Sequence, residues 1–310
     1  MQAVSQAFRC FDAVARRGSV RKAAETLHLT AAAVHQQIVN FEQQVGTPLF
    51  DRLPKGMQLT AAGEIVLGAV RRMQRDFEQA LAQVEGLGTL ERGHVSLGVP
   101  HASAETLLPP VLREVLARHP GIRFDVRTGN GEALLRWLAG GEVDLAFCLR
   151  RVPPPGVVQV RGWPQRLGAV VAPRHPLAAR AGSLPQQRLR LRDCLAYPLV
   201  LTAPDMELRL VADRVALRER RALEPAVQTS SVALARSLAA AGPFVALLVQ
   251  ENVLPDLAAG TLVWLPLADA DARSEVGLYQ REGHNPSVAA GLLVQALDAA
   301  FQAFAGPPAP

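Results

Sequence analysis

The stretch VRKAAETLHLTAAAVHQQIVNFEQQVG, Val20 to Gly46, constrains this chain more than any other. Val20, Ala23, Ala24 and Leu27 form one apolar stripe at helical spacing, and Val34, Ile38, Phe41 and Val45 form another. His28-Leu29-Thr30 lies between them, and Thr30 is placed to cap the second helix. The small side chains of Ala23 and Ala24 let two helices approach closely, as a helix-turn-helix requires. The second helix carries His35, Gln36, Gln37 and Asn40, which donate and accept at base edges in a major groove. An ordinary helical hairpin in a small bundle has the same periodicity, so the hairpin alone does not decide.

The following residues favour a duplex. Leu49-Phe50-Asp51-Arg52 and Leu53-Pro54-Lys55-Gly56-Met57-Gln58-Leu59-Thr60 read as a short extended pair around a Pro-Lys-Gly turn. A two-stranded ribbon directly after a recognition helix is a wing. Arg52 falls at its base and Lys55 at its tip, in reach of phosphates or the adjacent minor groove. The chain carries 33 Lys+Arg against 28 Asp+Glu, a net +5. Both of its lysines, Lys22 and Lys55, lie within the first sixty residues. That surplus is compatible with nucleic acid without identifying it. Residues 1–60 are thus expected to form a DNA-binding domain.

From Ala61 to Leu87 there is no proline. Val66, Val70, Met73, Phe77, Ala80, Val84 and Leu87 alternate spacings of four and three, a heptad seam. A single helix packed on its own domain satisfies such a seam. A helix joining a small domain to a large one is better covered by a partner helix. The expectation is a linker and dimerisation helix over 61–90, a homodimer or homotetramer, and recognition helices on half-sites about one helical turn or a multiple apart.

Residues 91–310 suffice for a domain with its own core. Val95–Val99, Ile122–Val126 and Val143–Phe147 read as strands, with helices over Leu107–Arg118 and Glu132–Ala139 between them. This βαβαβ order implies a mainly parallel sheet with helices on both faces. Pro153-Pro154-Pro155 interrupts it, and a second series begins near Leu167. Val276–Tyr279 and Val288–Phe304 suit a strand and long helix returning to the first lobe. The expected class is α/β, with lobe 1 about 91–162 and 267–310 and lobe 2 about 163–266. Such sheets bind small molecules in the cleft at the carboxyl ends of their strands.

Together these features resemble LysR-type transcriptional regulators over nearly the whole length. Phe8-Arg9-Cys10-Phe11-Asp12-Ala13-Val14-Ala15 with Gly18-Ser19 is similar to the family's first helix and following turn. AAETLHLT, Leu49-Phe50-Asp51-Arg52 and Leu59-Thr60-Ala61-Ala62-Gly63 match its helix, wing and linker entry. The resemblance implies an N-terminal winged helix-turn-helix, a long linker helix and a C-terminal two-lobed effector domain similar in fold to periplasmic binding proteins. It makes Arg21, Lys22, Thr30, His35, Gln36, Gln37, Arg52 and Lys55 the DNA-facing candidates. It carries effector contact to His101, Ser103, Asn130, Thr202 and Ser231, although each hydroxyl serves equally as a helix cap. His101, at a strand-helix junction, can attract a carboxylate, and the effector is expected to be anionic; a surface histidine without duty is the alternative. The implied partners are double-stranded DNA, a small molecule and further copies of the chain, with RNA polymerase as an additional candidate.

Three departures matter. Ala31-Ala32 stands where the family often has Gln-Pro, and His35-Gln36 where it often has Ser-Arg. Loss of a guanidinium removes a bidentate guanine reader, while Gln36 favours adenine. Phe244, in Ala240–Val249, is bulky where relatives usually carry glycine, which puts any cleft role of that segment in doubt.

No enzyme constellation, metal-ligand spacing or cofactor motif appears. Cys10, Cys148 and Cys194 are far apart and lack a CxxC; a redox-sensing Cys148–Cys194 pair is the alternative regulator. The polar start, the lack of a membrane-length apolar run and the cysteine usage point to the cytoplasm. The remaining rivals are a two-lobed solute-binding protein or enzyme, and an architectural winged-helix protein with no small-molecule effector.

Overall fold

The computed structural model describes residues 5–53, 56–85, 93–149, 152–183, 189–284 and 286–305, excepting the side chains of 72, 75, 76, 78–85, 180–183, 304 and 305. The chain divides into two compact units, one holding the residues up to Gly88 and the other nearly all the rest.

The first unit opens with α1 (Gln6–Arg17), α2 (Val20–Leu27) and α3 (Ala31–Val45). Each boundary has a local cause. Gly18, in the left-handed region at φ 63°, ends α1, and the Ser19 hydroxyl accepts from the Lys22 amide to start α2. His28 ends α2 at φ 55°, a conformation that few non-glycine residues adopt. The Thr30 hydroxyl then accepts from the Ala33 amide at 3.1 Å. The wing follows as β1 (Phe50–Leu53) and β2 (Gly56–Leu59), antiparallel, with Arg52 opposite Met57. Met57 N–H donates to the Gly18 carbonyl at 2.9 Å, so β2 is tied to the turn between α1 and α2. A Cβ on Gly56 would strike that same carbonyl oxygen, hence the glycine.

The long helix α4 (Ala61–Glu85) departs from the uniform seam expected of it. Leu67 and Val70 are buried, and Val66 packs beside them, in one cluster with Phe11, Val14, Val34, Ile38, Phe41 and Leu49. The Arg71 guanidinium also reaches Asp12 of α1 at 2.7 Å. The first half of α4 is therefore covered by its own unit, and the exposed part of the seam begins at Met73 and Phe77. Ala80 and Val84 belong to the side chains not described, and Leu87 lies outside the described residues.

The second unit continues with β3 (Gly93–Val99), α5 (His101–Thr106), α6 (Leu108–Arg118), β4 (Ile122–Thr128), α7 (Gly131–Ala139) and β5 (Leu145–Leu149). Next come β6 (Val157–Val171), α8 (Pro176–Ser183), α9 (Leu191–Cys194), β7 (Leu199–Thr202), α10 (Glu207–Arg218), β8 (Pro225–Thr229) and α11 (Val232–Ala241). The chain closes with β9 (Val245–Val249), α12 (Leu254–Ala259), β10 (Val263–Pro266), β11 (Arg273–Arg281) and α13 (Val288–Ala305). Strand order runs β4-β3-β5-β11-β6-β9-β7-β8, and β10 pairs with β6.

The sheet is mixed rather than mainly parallel. β3 pairs in parallel with β4 and β5, and β7 with β8 and β9. The central strands β6 and β11 make antiparallel contacts. The second series also starts earlier than Leu167. β6 spans 15 residues, pairing with β11 through Val157–Arg166 and with β9 and β10 through Leu167–Val171. One strand thus serves both lobes. Each lobe has a core of its own: Leu97, Val111, Phe147, Trp163, Leu278 and Leu297 in the first, Leu167, Leu177, Leu201, Val215 and Leu247 in the second. Ala240–Val249 supplies the fully buried strand β9, and Phe244 packs half-buried at its start. Among the described residues no helix is long and apolar enough to cross a membrane.

Candidate nucleic-acid interface and ligand cleft

On α3 the buried residues Val34, Ile38 and Phe41 fix one face, leaving His35, Gln36 and Asn40 exposed on the other and Gln37 half-buried. Gln36 Nε2 donates to Asn40 Oδ1 at 2.8 Å, one helical turn away. That bond restricts both amides before any partner arrives. Thr30 is engaged as the α3 cap. Arg21 and Lys22 are exposed on α2, Arg21 lying 3.8 Å from Glu25 across solvent. Arg52 is exposed on β1, whereas Lys55 lies outside the described residues. Glu42 was missed from sequence. Its Oε1 accepts from the Leu49 and Phe50 amides at 2.7 and 3.1 Å, clamping the wing's entry to α3. A glutamate seven residues before the amide it binds has no short-range sequence signature.

Between the two lobes of the second unit lies a cavity of about 540 Å³. His101, Ser103, Asn130 and Ser231 all line it. Thr202 is not on this wall; it is buried in β7, and its carbonyl accepts from Arg209 Nη1 at 3.3 Å. The same arginine meets Asp213 at 2.8 Å and Gln228 at 3.0 Å. Ser231 caps α11, its hydroxyl accepting from the Leu234 amide at 3.2 Å. Asn130 does the same for α7, accepting from the Ala133 amide at 2.9 Å. Val249 of β9 also lines the cavity, so the segment doubted from sequence contributes to the wall.

The wall's charge runs against the expectation of an anion. Glu105, Asp205 and Glu207 line it beside one imidazole, that of His101. Glu207 sits at the start of α10 in the second lobe, and its Oε1 accepts from the Gly131 amide of the first at 2.9 Å. A carboxylate thus already occupies the N-terminus of α7. Gln165 of β6 and Asn252, just past β9, line the cavity too. Gln165 Nε2 donates to Glu251 Oε1. Glu251 is 4% exposed, and burial pushes its carboxyl up to about 7, against the opposing pull of its backbone hydrogen bond and the Gln165 amide.

The cysteines are buried apart. Cys148 packs in the first lobe and Cys194 in the core of the second. Burial, with Asp193 and Asp269 adding to it, pushes the Cys194 thiol up to about 12, which suppresses the reactive thiolate.

Comparison with known proteins gives a consistent result. The family model described as "LysR substrate binding domain" matches residues 88–302, and "Bacterial regulatory helix-turn-helix protein, lysR family" matches 5–64. A "RuBisCO operon transcriptional regulator" from Acidithiobacillus ferrooxidans is 30% identical, over 83% of this chain and 81% of that protein. An "SDS degradation transcriptional activation protein" from a Pseudomonas species is 29% identical over 91% of each. Among solved structures, a full-length OxyR variant from Pseudomonas aeruginosa aligns with a TM-score of 0.71 at 17% identity, covering 96% of this chain and 93% of that one. Full-length CbnR complexed with its target DNA gives 0.62 at 18%, covering 95% and 99%. At those identities the structures speak to the fold alone.

Proposed function

Because this chain belongs to the LysR family of bacterial transcriptional regulators, we propose that α3 reads the major groove while the cleft between β3, β7 and their neighbouring loops binds the effector. The chain is a DNA-binding regulator with an effector-binding domain, and such regulators work as oligomers. The residue roles are our own reading. His35 and Gln36 read base edges, with Asn40 orienting Gln36. Arg21, Lys22 and Arg52, with Lys55, hold phosphates, and Thr30 sets the angle at which α3 enters. His101, Ser103, Asn130 and Ser231 contact the effector, and Thr202 acts through β7 rather than by touch. The cleft serves recognition and not turnover, and the protein works in the bacterial cytoplasm, where the duplex is.

The observation that carries this reading is the two-faced α3. Val34, Ile38 and Phe41 of its apolar stripe are consumed by the core, leaving Val45 exposed at its end, while hydrogen-bonding side chains without structural duty to that core stand on the opposite face, ahead of a wing. The match of residues 5–64 to a bacterial regulatory helix-turn-helix supports a duplex as the partner. An effector that changed the relative populations of lobe arrangements would change the spacing of paired recognition helices. Footprinting of the purified protein on the promoter beside its own locus tests this. Protection over two half-sites about one helical turn or a multiple apart is expected; no protection anywhere on that promoter would sink the reading.

A further inference from the structure

The cleft's chemistry specifies its ligand more narrowly than the fold does. Among the described residues lining the cavity, the ionisable side chains are Glu105, Asp205, Glu207 and His101. Three carboxylates lining one concave cleft focus a negative potential and raise the local concentration of cations. The nearest arginine of α10, Arg209, is turned to Asp213, Gln228 and the Thr202 carbonyl rather than into this wall.

Several helix-start donors that would suit an anion are also taken. In α7 the Gly131 amide donates to Glu207 and the Ala133 amide to Asn130. In α11 the Leu234 amide donates to Ser231, and the Ser231 amide to the Thr229 hydroxyl at 2.9 Å. The opposing feature is α5, whose start has no side-chain cap; at six residues it is short, and Glu105 stands one turn beyond His101.

Two acceptors at this wall lack donors. Gln165 Oε1 and Asn252 Oδ1 are buried with no hydrogen-bond partner among the described residues, and Asn252 is 4% exposed. A buried acceptor left unmade is costly, so both residues favour a ligand bearing N–H groups. The rest of the lining includes Phe147, Leu149, Met206, Val249 and Val276, which suit an apolar body.

We propose that the cleft takes a small organic ammonium with an apolar body, its N–H groups meeting acceptors supplied by Asp205, Glu207, Gln165 and Asn252. This rests on the cleft being the effector site. A cation beside Glu207 also loads the carboxylate that bridges the lobes through Gly131, which couples occupancy to lobe closure.

The test uses the full-length protein and two matched sets of three probes near neutral pH: benzylamine, benzoate and benzyl alcohol, and n-butylamine, butyrate and n-butanol. Thermal melting and calorimetry are read for the native chain and for Glu207→Gln, whose side-chain carbonyl can still accept from Gly131. The amines should raise Tm through preferential binding to the folded state, and the carboxylates and alcohols should not. Glu207→Gln should weaken amine binding by about tenfold, the scale of a charge-assisted hydrogen bond. Stabilisation by the carboxylates instead of the amines overturns the cationic assignment and leaves the effector site standing. Amine binding undiminished in both Glu207→Gln and Asp205→Asn overturns the site. No shift with any probe overturns the ligand class, while the promoter footprint, read without ligand, reports separately on the regulator itself.

Discussion

Single residues carry strain and charge that local pattern does not disclose. His28 ends α2 in the left-handed region at φ 55°, where a Cβ crowds the backbone at a cost of roughly 1–2 kcal/mol. His28→Gly should therefore raise stability by about 0.5–1 kcal/mol, the relieved strain exceeding the added freedom of the unfolded chain. An unchanged or lowered urea midpoint would contradict this. Glu251 behaves differently. Its carboxyl titrates near 7 in the folded protein against an ordinary value of 4.5, so the folded state binds its proton more readily. Its contribution to stability is fully present below the unfolded value and is lost as pH rises through the folded one. Relative to the native chain, Glu251→Gln should thus gain stability from about pH 5 to about pH 8. Denaturation midpoints taken across that range give the answer; a pH-independent difference between the two proteins would be inconsistent with a buried, titrating Glu251.

Elements acquire their roles from the residues that clamp them. Glu42 holds the Leu49 and Phe50 amides, and Met57 is bound to the Gly18 carbonyl, so the wing is anchored at both strands. Removing the carboxylate in Glu42→Ala strips two charge-assisted bonds and should cost about 2–3 kcal/mol of stability, with DNA affinity falling as the wing loosens. Within α3, Gln36 is pre-oriented by Asn40. Gln36→Ala should reduce discrimination at one base pair by about 1–3 kcal/mol in competition binding while leaving the salt dependence unchanged. Arg52→Ala should do the reverse, lowering the salt slope of log K by about one with little change in sequence preference. Equal effects of the two substitutions on both measurements would mean that the base-edge and phosphate roles are misassigned.

At the scale of the whole molecule, α4 divides its seam between two duties. Leu67 and Val70 close the core of the DNA-binding unit, while Met73 and Phe77 stand 56% and 39% exposed. On the proposed reading a second copy of α4 covers them, since paired recognition helices need a two-fold partner. Phe77→Asp places charge on that seam without touching the core of the unit. It should yield monomers in sedimentation velocity and weaken promoter binding by at least about tenfold; an intact oligomer would move the interface elsewhere.

The recognition hairpin, the wing and the alternating lobes were legible in the sequence because each rests on short-range rules. These are apolar periods of two and four residues, a threonine cap at Thr30, and a Pro-Lys-Gly turn. Three things were decided only by the tertiary structure. β6 is shared between lobes because its two halves find different antiparallel partners, more than a hundred residues away for β11. Thr202 leaves the cleft wall because β7, paired with β9 on one side and β8 on the other, is buried throughout. Glu105, Asp205 and Glu207 meet around one cavity because two lobes close upon it, and a charge balance assembled across a fold has no trace in spacing along the chain.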